Sequence, residues 1–178
     1  DCLDADVRPM VVDSDNVATG RVVDAISGAP NVDWAGAERV PLPRDATDRP
    51  RADGVAPPPG FAAWLERRRY TERLLERTGV LGGQTLLNKT WPTNSGDAPA
   101  GYERLSLAIA GRNAMSPDGA ARLMLALQSG ALVPRGRDYV RSLLARDRWS
   151  GHAAFGGGLP PGTRYAAKIG TAYDTLQE

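Results

Sequence analysis

Apolar residues recur at three- and four-residue steps in several stretches of this chain, set apart by segments rich in Gly, Pro, Asp and Asn. In residues 6–26, Val7, Met10, Val11 and Val12 lead into Ser14-Asp15-Asn16, after which Val17, Val22, Val23 and Ile26 resume the pattern. The polar trio predicts helix, turn, helix, with Asp15 or Asn16 capping the second helix through a short side-chain acceptor. Gly28-Ala29-Pro30 then ends it. A further helix is predicted over 61–77, with Phe61, Trp64, Leu65, Leu74 and Leu75 as its apolar stripe. Its run Glu66-Arg67-Arg68-Arg69 alternates in sign with Glu72 and Glu76, which reads as a solvated face. Gly79-Val80-Leu81-Gly82-Gly83 breaks that helix; 84–101 reads as a loop and 105–110 as a short ordered element. Ser116-Pro117-Asp118 is a strong helix start, combining an N-cap hydroxyl, Pro at the first position and an acid in the first turn. Ala120, Leu123, Met124 and Leu127 follow as core positions up to Gly130, and a last helix over 135–146 carries Tyr139, Val140, Leu143 and Leu144.

Two segments depart from this helical pattern. Residues 31–60 hold Pro41, Pro43, Pro50, Pro57, Pro58 and Pro59 among Asp, Arg and Gly, and read as a Pro-rich insertion or long loop. The C-terminal part is Gly-rich, but Leu159-Pro160-Pro161 follows Gly156-Gly157-Gly158 and blocks the helix that a phosphate-cradling loop must open. Residues 164–173 read as a strand containing Lys168-Ile169-Gly170-Thr171, with no other strongly strand-like segment to pair it. An unpartnered strand at the end of the chain suggests an internal fragment of a longer protein.

Composition narrows the function classes. The chain has 178 residues, with 22 Lys and Arg against 21 Asp and Glu, a net charge of +1 that gives no electrostatic footprint for nucleic acid. Its single Cys, Cys2, excludes an internal disulfide and a multi-cysteine metal site, and its single His, His152, makes a His-rich metal site improbable. No apolar run approaches the roughly 18 residues of a membrane span. His152 lies in a Gly-rich loop without an acidic sequence neighbour, which removes the usual base of a Ser–His–Asp or Cys–His mechanism.

Two small motifs remain. Ser14-Asp15-Asn16 and Lys168-x-Gly170-Thr171 are each common alone, but in this order, with helices between them, they match the second and third motifs of a known set. On these residues the chain resembles the class A serine β-lactamases and penicillin-binding proteins. Gln84-Thr85-Leu86-Leu87-Asn88 is similar to that family's omega-loop pattern E-x-x-L-N, with Gln in place of Glu. Gly96-Asp97, Ser116-Pro117 and Pro161-Gly162-Thr163 also have family counterparts, so the resemblance spans nearly the whole chain and thins over 31–83. It implies an α+β fold of the β-lactamase/DD-peptidase type, with 1–178 as a partial domain: most of the helical subdomain plus one sheet strand. The family's S-x-x-K motif would precede Asp1.

The resemblance also implies chemistry. A serine of S-x-x-K attacks a carbonyl and forms an acyl-enzyme, and two backbone N–H groups hold the oxyanion. One of these donors would be Thr171, with Gly170 keeping the strand edge open to substrate. Ser14 would relay a proton to the leaving nitrogen. Lys168 beside it would keep the local field positive and attract a substrate carboxylate. Asn16 would orient the substrate's acylamino carbonyl, and Asp15 would fasten the turn. Substrate would be a β-lactam or a cell-wall peptide, with no cofactor and no metal, and the place of action periplasmic or extracellular. Ile169 stands where the family has Thr or Ser, a lost hydrogen bond to a charged group worth about 1.5–3 kcal/mol. Gln84 has no carboxylate to activate a deacylating water, and Glu103 is an alternative acid. The competing class is a non-catalytic relative that binds cell-wall peptide or a protein partner through the same groove. A fragment missing its first helix and sheet partners is expected to expose apolar surface and to be poorly soluble.

Overall fold

The computed structural model describes residues 3–42, 52, 54–80, 85–87, 99–111, 113–131, 136–146 and 158–168. The first two helices form as the polar trio predicts: α1 (Asp4–Val12) and α2 (Asn16–Ser27) pack together across the turn. Asp15 is the N-cap of α2, its carboxylate accepting the Ala18 N–H at 2.9 Å. Gly28 closes α2 in the left-handed conformation at φ 60°, a region closed to most side chains.

The helix expected over 61–77 is two helices, α3 (Phe61–Arg68) and α4 (Tyr70–Arg77), joined at Arg69, whose ψ of 17° leaves helical geometry. No Gly or Pro marks this break. β1 (Thr85–Leu86) then pairs antiparallel with β2 (Ala114–Met115), Thr85 opposite Met115. Between them runs α5 (Gly101–Ala110), longer than the short element expected. α6 (Pro117–Ser129) begins at the Ser116 cap, whose hydroxyl accepts the Gly119 N–H at 3.0 Å. α7 (Arg137–Leu144) stops two residues short of the expected end, because Ala145–Arg146 forms β3 and pairs antiparallel with β4 (Tyr165–Ala166). The strand expected to lack a partner therefore has one. The architecture is α+β in the broad sense: helices with two small two-stranded sheets among the described residues.

The core gathers on α5. Ala29, Val40, Phe61, Trp64, Tyr102, Leu105 and Ala108 form one buried cluster. Phe61, Trp64 and Tyr102 meet ring to ring at centroid separations of 5.4–5.8 Å, a geometry that adds attraction beyond area burial. Both polar handles are satisfied: Trp64 Nε1 donates to the Pro30 carbonyl at 2.7 Å, and the Tyr102 hydroxyl donates to the Pro59 carbonyl at 2.7 Å. The described ends of the Pro-rich segment are thus stitched onto the core. Asn31 completes this by accepting the Glu103 N–H at 3.0 Å and donating to the Ala100 carbonyl at 3.2 Å, at the start of α5. Gly101 allows the close approach: at φ 54°, any Cβ there would collide with the Val32 carbonyl.

Arg68 corrects the reading of 66–69 as a wholly solvated face. Its side chain is completely buried, facing Asp24 of α2 and Glu103 of α5, and it donates to the Ala29 carbonyl at 2.8 Å. Its guanidinium also lies 5.5 Å from the Trp64 ring centre. Arg69 and Arg73 are half-buried and pair with Glu72 and Glu66, and Glu72, 1% exposed, is a second departure from that solvated face. The Met and Leu positions of α6 are less buried than predicted. Met124 is exposed, Leu123 and Leu127 are half-buried, and Leu125 is 69% exposed. Among the described residues α6 packs mainly against α7, which leaves much of its apolar side in solvent.

Candidate functional site

The turn between α1 and α2 is the anchor of the site. Pro9 sits inside α1, and its carbonyl accepts two N–H groups, from Asp13 at 3.0 Å and from Asp15 at 3.1 Å. Between these two residues Ser14 takes φ 62°, the one described non-glycine residue in the left-handed region. An L-residue there costs about 1–2 kcal/mol, so the surrounding bonds must impose the conformation. Asp15 does so from the other side. Its carboxylate caps α2, and its carbonyl accepts from Thr19 N at 3.0 Å and Thr19 Oγ1 at 2.6 Å. The expected fastening role of Asp15 is observed. Ser14 itself is exposed, with Asn16 half-buried as the first residue of α2.

The β3–β4 pair brings the second motif to this turn. Ala145 lies opposite Ala166 and Arg146 opposite Tyr165. One further bond, from Ala167 N to the Leu144 carbonyl at 2.9 Å, continues the pairing toward Lys168. Arg146 docks the pair onto the first helix, its guanidinium donating to the Val11 carbonyl at 3.2 Å and to the Leu143 carbonyl at 2.8 Å. The result is that the Lys168 ammonium donates to the Ser14 hydroxyl, joining residues 154 positions apart. Surrounding protein partly desolvates the Lys168 ammonium, and the Arg146 charge adds to this, so its pKa lies below the ordinary lysine value of 10.5.

That direction carries a pH dependence. Between the lowered folded pKa and 10.5 the unfolded chain binds more protons at Lys168 than the folded one, so this residue's contribution to stability rises with pH through that window. Tyr139 acts oppositely: its hydrogen bond to Asp4 raises it above 10.0, and its contribution falls as pH rises further. Urea unfolding from neutral to alkaline pH is expected to show the Lys168 rise as the difference between the native chain and Lys168→Met. A difference that is flat with pH would contradict it.

Of the other predicted site residues, Gln84, Asn88, Gly170 and Thr171 lie outside the described residues, as do Ile169 and His152. The described part of the loop motif is fastened from α4: the buried Glu72 carboxylate accepts the Leu87 N–H at 3.1 Å and pairs with Arg69. The β1–β2 pairing sets this motif beside the Ser116 helix start. Glu103, the alternative acid, is 2% exposed and salt-bridged to Arg68 inside the core, a structural carboxylate out of reach of solvent. Arg146 and Glu72 are the positioning residues that sequence reasoning missed. Arg146 looked like an ordinary basic residue at a helix end, and Glu72 like one acid in a mixed-sign run.

A separate cleft of about 490 Å³ lies where the 3-10 turn Ala37–Arg39 meets the start of α5, lined by Trp34, Glu38, Pro99 and Arg104 among others, and it takes in none of the predicted site residues. Among the described residues no cluster of His, Cys, Asp and Glu could hold a metal ion, and no helix is long and apolar enough to cross a membrane.

Over 174 residues, 98% of its length, the chain is 31% identical to golvesin of Dictyostelium discoideum. It spans 27% of that protein. No family model matches the sequence, and no solved structure matches it.

Proposed function

We propose that this chain forms part of a serine acyl-transfer hydrolase of the β-lactamase and penicillin-binding type, acting outside the cytoplasm on a β-lactam or a related amide or ester. The observation that carries this reading is the Lys168–Ser14 pair, which joins the two sequence motifs at one point. In the proposed reaction the nucleophile is the serine of an S-x-x-K motif outside these 178 residues; as its Oγ–acyl bond forms, its proton passes to the lysine of that motif. Ser14 Oγ passes a proton to the leaving nitrogen as the acyl–nitrogen bond breaks, and Lys168 Nζ restores that proton to Ser14. Desolvation and the Arg146 charge, which lower the Lys168 pKa, ease the release of its proton to Ser14. Thr171 N–H would bind the oxyanion beside Gly170, and Asn16 would hold the substrate's acylamino group. Gln84 carries no carboxylate to activate water, so the acyl-enzyme is expected to be long-lived.

The test is intact-mass analysis of the protein carrying the segment that precedes Asp1, incubated with benzylpenicillin. One covalent adduct that persists after excess drug is removed is the expected result. Absence of any adduct, with reversible binding of a cell-wall peptide, would replace this reading with that of a non-catalytic relative.

A further inference from the structure

Ser14 has the features of a nucleophile as well as those of a relay. It is exposed at the tip of a sharp helix–turn–helix, held at φ 62° by bonds on both sides. The pinched geometry resembles in principle the strained turns that other hydrolases use to present a serine. Its hydroxyl accepts from the Lys168 ammonium. Once Lys168 has lost a proton the same contact can run the other way, the hydroxyl donating to the amine, which is the arrangement that activates a serine where no histidine is available.

We propose that Ser14 is itself acylated or phosphonylated by small activated esters, with Lys168 as its general base. With a fluorophosphonate, the Ser14 Oγ–phosphorus bond forms as the phosphorus–fluorine bond breaks, the Ser14 proton passes to Lys168 Nζ, and fluoride leaves. With an activated carboxylic ester, Oγ bonds to the carbonyl carbon and the alcohol departs with the proton that Lys168 took up. Neither step changes an oxidation state or needs a co-reactant. The charged groups around the pair are Arg146 from β3, which opposes protonation of Lys168, and Asp13 and Asp15, the chain neighbours of Ser14. This activity uses the same pair as the proposed hydrolase but not its upstream serine, so either can fail without the other.

The test is to treat the chain with an alkyl fluorophosphonate, locate the adduct by peptide mass mapping, and follow its rate with pH. The expected adduct sits on Ser14, is absent from Ser14→Ala, and forms about 100- to 10,000-fold more slowly in Lys168→Met. In the unaltered chain the rate is expected to rise with pH to a midpoint below 10.5, the ordinary lysine value. Should Lys168→Met misfold, Lys168→Arg, which keeps the charge but cannot lose its proton, supplies the same comparison. An adduct spread over other hydroxyls, no adduct, or a rate indifferent to pH and to both Lys168 variants would overturn the proposal. Labelling of Ser14 without penicillin acylation would separate this inference from the proposed function.

Discussion

Arg68→Met is expected to lower stability by about 3–5 kcal/mol, the loss seen when one partner of a buried ion pair is removed. Arg68 sits on α3 with its side chain fully buried, and it ties three other places together: Asp24 near the end of α2, the Ala29 carbonyl just beyond, and Glu103 inside α5. Met preserves most of the packing against Trp64 but removes the cation that the 2%-exposed Glu103 faces. Against the total stability of about 5–15 kcal/mol usual for a domain, this loss approaches unfolding. Arg68→Lys is expected to recover only part of it, since a point charge cannot serve three acceptors as a planar guanidinium does. Arg68→Met combined with Glu103→Leu is expected to exceed the single variant in stability, because neither charge is then buried. Urea unfolding checks all three variants. A loss below about 1 kcal/mol for Arg68→Met would show that the network contributes little.

The second large effect concerns the pair itself. Ser14→Ala and Lys168→Ala are each expected to slow acylation by benzylpenicillin by about 100- to 10,000-fold, the range for losing a proton-transfer partner in the transition state. Stability should change much less. Ser14 is exposed, and its turn is held by Pro9, Asp13, Asp15 and Thr19 through main-chain and Asp15 bonds that Ala leaves in place. Ala also retains the unfavourable φ of 62°, so any loss comes from the hydroxyl rather than the backbone. Lys168 lies past β4, whose pairing with β3 rests on backbone bonds and on Arg146, none of which the lysine supplies. Equal falls in rate and in unfolding midpoint would point to a structural role instead.

How much of this was legible in the chain depends on how local the deciding interaction is. The α1–turn–α2 unit and the start and end of α6 were readable because caps act within three or four residues: Asp15 on Ala18, Ser116 on Gly119. α5 was under-read because Glu103, Arg104 and Ser106 dilute its apolar signal, while burial on all sides removes the amphipathic stripe that marks a surface helix. Arg68 was misread for a related reason: its sequence neighbours alternate in sign, and its partners Asp24 and Glu103 stand 44 and 35 positions away. The two-residue β3 was hidden at the end of a helical pattern, since a single pair of ladder residues has no period to detect. The Ser14–Lys168 pair carried no periodic signal at all. Its motifs became meaningful only as members of a set, and the β3–β4 pairing with Arg146 explains how the chain brings them together.

The central claim is that Ser14 and Lys168 work as one proton-transfer unit, and a double-mutant cycle on the penicillin acylation rate tests it most directly. If they form a unit, the double variant Ser14→Ala/Lys168→Ala reacts about as slowly as either single variant, because the first loss already breaks the relay. If instead the two effects multiply, so that the double variant is slower by the product of the single losses, the residues act independently and the relay account is wrong.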